Sequence, residues 1–119
     1  MTRIEDFNEN ELWIVQTTLQ ERYGEEPEIQ MGDSEIRLHS ADRDTTSCPI
    51  LMWDDQDCHF VILKCGDNRY RCLFYYRSFE QFGTGVEEFD QLAECIVTLL
   101  QTEADKARDA KQEQTTDQS

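Results

Sequence analysis

Three groups of residues in this chain are of types that do chemistry. The first is Cys58, His59, Cys65 and Cys72, with Cys48 and Cys95 farther off. A cysteine beside a histidine can act as nucleophile and base, and four such groups can hold zinc. Zinc ligands normally come as close pairs such as C-x2-C on a turn, and this chain has none. No third residue is spaced to orient the histidine, so the expectation is buried structural thiols, with no metal and no cofactor. The second group is the acidic turn Asp54-Asp55-Gln56-Asp57, which lacks the glycine and closing glutamate of an EF-hand loop and reads as a solvated turn.

The third group is Arg69-Tyr70-Arg71-Cys72-Leu73-Phe74-Tyr75-Tyr76-Arg77, arginines and aromatics together in a chain of net charge -15. In a strand, alternation puts Tyr70, Cys72, Phe74 and Tyr76 on a core side and Arg69, Arg71, Leu73, Tyr75 and Arg77 on the other. Arg37 and His39 alternate away from Ile36 and Leu38 in the same way. A guanidinium fork holds carboxylates bidentately, and a tyrosine ring gives contact area at low entropy cost. Arg37, Arg69, Arg71, Tyr75 and Arg77 are therefore the candidate binding residues. The competing reading is that these arginines pair with the chain's many carboxylates and only keep the sheet soluble. No P-loop, dinucleotide fingerprint or nucleophile elbow is present, so no enzyme is expected.

These residues need elements to position them. Asn8 followed by Glu11 has capping-box spacing, with Phe7 and Leu12 as the hydrophobic staple. Leu12, Val15, Leu19 and Tyr23 then recur at helical spacing, Trp13 and Ile14 widen the stripe, and Gly24 suits a left-handed cap. After Pro27 the period becomes two. Ile29, Met31, Ile36 and Leu38 flank Gly32-Asp33-Ser34 as a hairpin, and residues 40–49 read as an exposed loop ending at Pro49, which should not sit in a central strand. Ile50–Trp53, His59–Cys65 and Arg69–Arg77 read as three further strands. Thr84 and Glu87 repeat the capping-box spacing, opening a second helix with Val86, Phe89, Leu92, Ala93, Ile96, Leu99 and Leu100 as its stripe.

The expected fold class is α+β: an antiparallel five-stranded meander flanked by an N-terminal and a C-terminal amphipathic helix, both packed on one face. Residues 1–101 form the expected single domain, and 102–119 a polar helical extension with a disordered tail.

Residues 58–77 hold Lys64, Arg69, Arg71 and Arg77 against one acid, Asp67, whereas the rest of the body is dominated by acids. Acids crowd the first helix (Glu5, Asp6, Glu9, Glu11, Glu21, Glu25, Glu26, Glu28) and the second (Glu80, Glu87, Glu88, Asp90, Glu94). Such a surface repels anionic lipid and nucleic acid and suits a basic protein partner. With five cysteines and no apolar leader after Met1, the thiols read as reduced and the protein as cytoplasmic. In size, acidity and flanking helices the chain is similar to type III secretion chaperones, in composition only. The expected function is a non-catalytic protein-binding module of chaperone, adaptor or immunity type, with a homodimer left open. The alternative is a sheet-face binder of an anionic ligand or single-stranded nucleic acid through the Arg/Tyr stripe.

Overall fold

Asn8 Oδ1 accepts from the Glu11 amide and Glu11 Oε1 from the Asn8 amide, both at 2.8 Å, so the capping box forms and starts helix α1 (Glu9–Tyr23). Gly24 ends the helix in the left-handed region, with φ 77. Val15 and Leu19 are fully buried, while Leu12, Ile14 and Tyr23 pack at the edge of the core. Trp13 departs from the expected stripe and is 63% exposed. It lies two residues from Val15, and positions two apart point to different sides of a helix. The computed structural model describes residues 2–25, 28–38, 41, 43–55, 58–77 and 80–117, with side chains at all of these except positions 2, 77, 80 and 109–117. Glu26, Pro27, His39, Gln56 and Asp57 lie outside the described residues.

The expected 29–38 hairpin is instead one continuous strand, β2 (Gln30–Ile36), paired over its whole length with β3 (Thr46–Asp55). Gly32 keeps a backbone without positive φ and makes no turn. A seven-residue ladder to β3 outweighs the roughly 0.5–1 kcal/mol entropy cost of a strand glycine. The expected loop 40–49 likewise gives up its end to β3, which includes Pro49. Ser47 accepts from the Ile4 amide at 2.9 Å on the side away from β2, so Pro49, two residues on, turns its missing N–H to that same side. There the short strand β1 (Thr2–Arg3), parallel to β3, has already ended, and β4 (Cys58–Gly66) starts pairing only at Ile50. The proline falls in the junction where no ladder bond is lost.

β4 and β5 (Arg69–Arg77) are joined through Asp67-Asn68, with Asn68 left-handed at φ 54. β6 (Glu80–Phe82) pairs with β5, so β2-β3-β4-β5-β6 is a five-stranded antiparallel meander. The α+β architecture agrees with expectation, a helix at each end and both helices on one face.

Helix α2 (Leu92–Asp117) begins seven residues later than the Thr84 spacing predicts. Thr84 Oγ1 takes the Val86 amide at 3.2 Å, Gly85 is left-handed at φ 86, and both backbone groups of Phe89 are bonded to Tyr70 at 2.8 and 2.9 Å. These bonds leave nothing for a first helical turn. Val86 is exposed, and Ala93 also faces outward. Leu92, Cys95, Ile96, Leu99 and Leu100 are the buried stripe. The helix runs past residue 101 without a break and stays in contact with the sheet there: Tyr76 donates to Glu103 at 3.1 Å, and Lys106 Nζ sits 3.9 Å above the Phe82 ring.

The core is organised by a row of rings that follows the strand register. Trp53, Phe60, Phe74 and Phe82 are cross-strand neighbours on β3 to β6, with successive centroids 5.2, 6.2 and 5.5 Å apart. Such pairs are the unit of sheet stabilisation. Tyr23 meets one end of the row through the Trp53 indole N–H, at 3.3 Å. Among the described residues no helix is long and apolar enough to cross a membrane.

Candidate functional site

Alternation along β5 sorts the arginine strand as expected. Tyr70 and Phe74 are buried on the helix side, with Cys72 and Tyr76 packed against that core, while Arg71, Leu73 and Tyr75 stand on the opposite face. Arg69 and Arg71 converge on one carboxylate. Arg69 donates to Glu88 through Nε at 2.6 Å and Nη2 at 3.1 Å, and Arg71 Nη2 reaches the same carboxylate at 3.5 Å and the Leu38 carbonyl at 2.9 Å. The Arg69 hydrogen bond holds the Glu88 carboxyl below its usual range. Tyr75 stacks obliquely on His59, ring centroids 4.9 Å apart, and His59 Nδ1 is 2.5 Å from Asp54. Arg37 is exposed just past β2, away from that group, and the Arg77 side chain is outside those described.

The face opposite the helices is only half open. At one end Cys48, Leu63 and Cys65 are buried beneath Ile4, Ile36, Leu38, Ile50 and Val61, a second small core that the sequence reading left exposed. β1 and the chain after β2 supply its cover, with Leu38 drawn across the sheet by Arg71. Beyond Val61, which borders that core, Met52, His59, Leu73 and Tyr75 remain half-buried with no element over them among the described residues. Beside Met52 opens a cleft of about 550 Å³ lined by Tyr23, Glu25, Glu28, Gln30, Trp53, Asp54 and Asp55. Four carboxylates around an aromatic floor suit the cationic head and aliphatic stem of a lysine or arginine.

A second cleft of about 550 Å³ lies between the start of α1, the β4–β5 turn and the start of α2. At its base is a cluster that sequence reasoning missed. Lys64 Nζ donates to Glu11 Oε1 at 2.8 Å and to the Asp6 carbonyl at 3.1 Å, and Tyr70 donates to Glu11 Oε2 at 2.5 Å. All three residues are buried. Burial alone would raise the Glu11 carboxyl, but hydrogen bonds from Lys64, Tyr70 and the Asn8 amide outweigh it and hold the group below its ordinary value. The one signal in the sequence was Lys64 itself, a charge inside the apolar run His59–Cys65 on its core-facing register.

The thiols separate by face. Cys58 lies in the helix-side core and His59 on the other face, so the two do not meet. Cys48 and Cys65 are buried together in the smaller cluster, and Cys72 Sγ donates to the Cys95 carbonyl at 3.9 Å. Burial pushes Cys58 and Cys65 up to about 12, which leaves them protonated at neutral pH. Comparison with protein-family models, curated proteins and solved structures gives no match.

Proposed function

We propose that this chain is a small acidic protein-binding module of chaperone, adaptor or inhibitor type, acting in the cytoplasm without catalysis on a basic protein partner. The observation that carries the reading is the meeting of two surfaces at Met52, where the open face runs into the cleft. Half-buried Met52, Val61, Leu73 and Tyr75 form an apolar, aromatic patch with no cover among the described residues, and the four-carboxylate cleft opens at its edge. Apolar centre and charged rim are the anatomy of a protein interface. A net charge of -15 favours a cationic partner and slows a polyanion. The Arg69 and Arg71 guanidinia are already engaged by Glu88, which leaves less positive charge for an anionic ligand or a nucleic acid strand.

The test is affinity capture from native cell extract with the wild-type chain and with Leu73→Ser/Tyr75→Ser, followed by titration of the captured protein. A basic protein should be held at low salt, released at high salt and lost in the double variant, which keeps the wild-type fold. Equal capture by wild type and variant, or capture of nucleic acid alone, rules the reading out.

A further inference from the structure

Strand β2 ends the meander, and its outer edge is unpaired among the described residues: it pairs with β3 alone. Seven consecutive residues, Gln30 to Ile36, keep an unbroken register with β3, with no bulge and no proline. Among the described residues that follow, Leu38 turns away from this edge, its carbonyl accepting from Arg71 on β5. An edge of this length presents a row of free amide and carbonyl groups, and proteins normally blunt such rows with lysine, proline or a bulge. Here the guards are acids.

Met31, Asp33 and Glu35 are exposed on one side of β2, and Gly32, Ser34 and Ile36 stand half-buried on the other. The acids discriminate between occupants. If β2 paired antiparallel with a second copy about its centre, Asp33 would face Asp33 across the new ladder, and two bodies of charge -15 would have to meet. A basic strand meets the opposite situation, since each lysine or arginine on its outer side finds Asp33, Glu35 or the stem-binding surface of Met31. The strand's beginning at Gln30 also borders the acidic cleft of Glu25, Glu28, Asp54 and Asp55, where one further basic side chain would be received.

We infer that β2 is a docking edge at which an extended segment of a partner protein, basic on one side and apolar on the other, adds as a further antiparallel strand. This rests on the basic-partner reading above and specifies how such a partner engages. Main-chain hydrogen bonds hold the segment, and alternate side chains select it.

The test uses the full chain, isotopically labelled, and a blocked seven-residue peptide alternating lysine and valine. Two control peptides accompany it: one N-methylated at every residue, which keeps the charge but removes the N–H donors of both edges, and one with glutamate for lysine. The lysine peptide should shift the Gln30–Ile36 amide signals and slow exchange of the outward amides, while both controls fail. Asp33→Lys/Glu35→Lys, at two exposed positions, should weaken the lysine peptide by about tenfold or more and let the glutamate peptide bind. Equal binding of the N-methylated peptide, or a dimer through β2 at high salt, overturns the inference. Lysine-peptide shifts confined to the helices or to the Leu73 and Tyr75 patch overturn it too, but leave the basic-partner reading standing. No binding of the lysine peptide anywhere overturns both.

Discussion

Glu11 and Glu88 each collect donors from the same β4–β5 hairpin, but on opposite sides of the sheet. Glu11 takes Lys64 and Tyr70 from residues facing the helices; Glu88 takes Arg69 and Arg71 from residues facing away. The chemistry is nearly the same, whereas the surroundings are not. The Lys64 and Glu11 side chains are 6% and 8% exposed, against 44% and 26% for Arg69 and Glu88. Removing one partner of a buried pair strands a charge in low dielectric, while an exposed pair is screened by water and salt. The difference teaches that Glu11 joins α1 to the sheet, and that Glu88 pins a surface loop across β5.

The largest expected effect tests that contrast directly. Lys64→Ala leaves Glu11 buried and unpaired and should cost about 3–5 kcal/mol in chemical denaturation. A loss below about 1 kcal/mol would put the two carboxylates in one class. Acid sharpens the same point. The Glu11 carboxyl lies below 4.5 in the folded chain, so the unfolded chain binds the proton first as pH falls. Its stabilisation is full above about 4.5 and is lost as pH drops through the folded value. Glu88 is lowered in the same direction, but salt should erase its share and spare that of Glu11. A denaturation midpoint followed from pH 7 to 3 at low and high salt separates the two.

Ile96→Ala and Leu92→Ala come next, at about 2–5 kcal/mol each, because both side chains are buried in the core that Glu11 helps to close. Small effects at both would mean that α2 is held by its polar contacts and not by its stripe. Truncation after Thr102 removes Glu103 and Lys106 from Tyr76 and Phe82, and thermal unfolding should register a loss of about 1–2 kcal/mol. An unchanged midpoint would reduce those contacts to solvated ones. The smallest effect belongs to Arg69→Ala, about 0–1 kcal/mol and less in high salt. A larger, salt-independent loss there would erase the distinction between the two carboxylates.

Local signals were the legible part of the sequence. Asn8 and Glu11 lie within one turn, and alternation along Arg69–Arg77 identifies its faces without knowledge of any neighbour. Failures came where distant residues decided the outcome. Gly32-Asp33-Ser34 has turn composition, yet pairing with residues 48–50 keeps it extended. Thr84 and Glu87 have capping spacing, yet the Phe89 backbone is already bonded to Tyr70. Of the candidate binding residues, the face of Arg71 and Tyr75 was readable, but not that Glu88 would occupy the guanidinia from another segment. Lys64 and Glu11 are 53 residues apart, and no spacing announces such a pair.

The two tryptophans stand at opposite extremes, Trp53 at 2% exposure within the ring row and Trp13 at 63% on the outer side of α1. Their emission therefore sums a shielded, blue-shifted fluorophore and a quenchable, red-shifted one. Trp13→Phe would leave Trp53 as an intrinsic optical reporter of whether the β3–β4 stack is intact. Trp53→Phe would leave Trp13 as a sensor of anything that lands on the first helix, while the β2 edge and the open face stay dark.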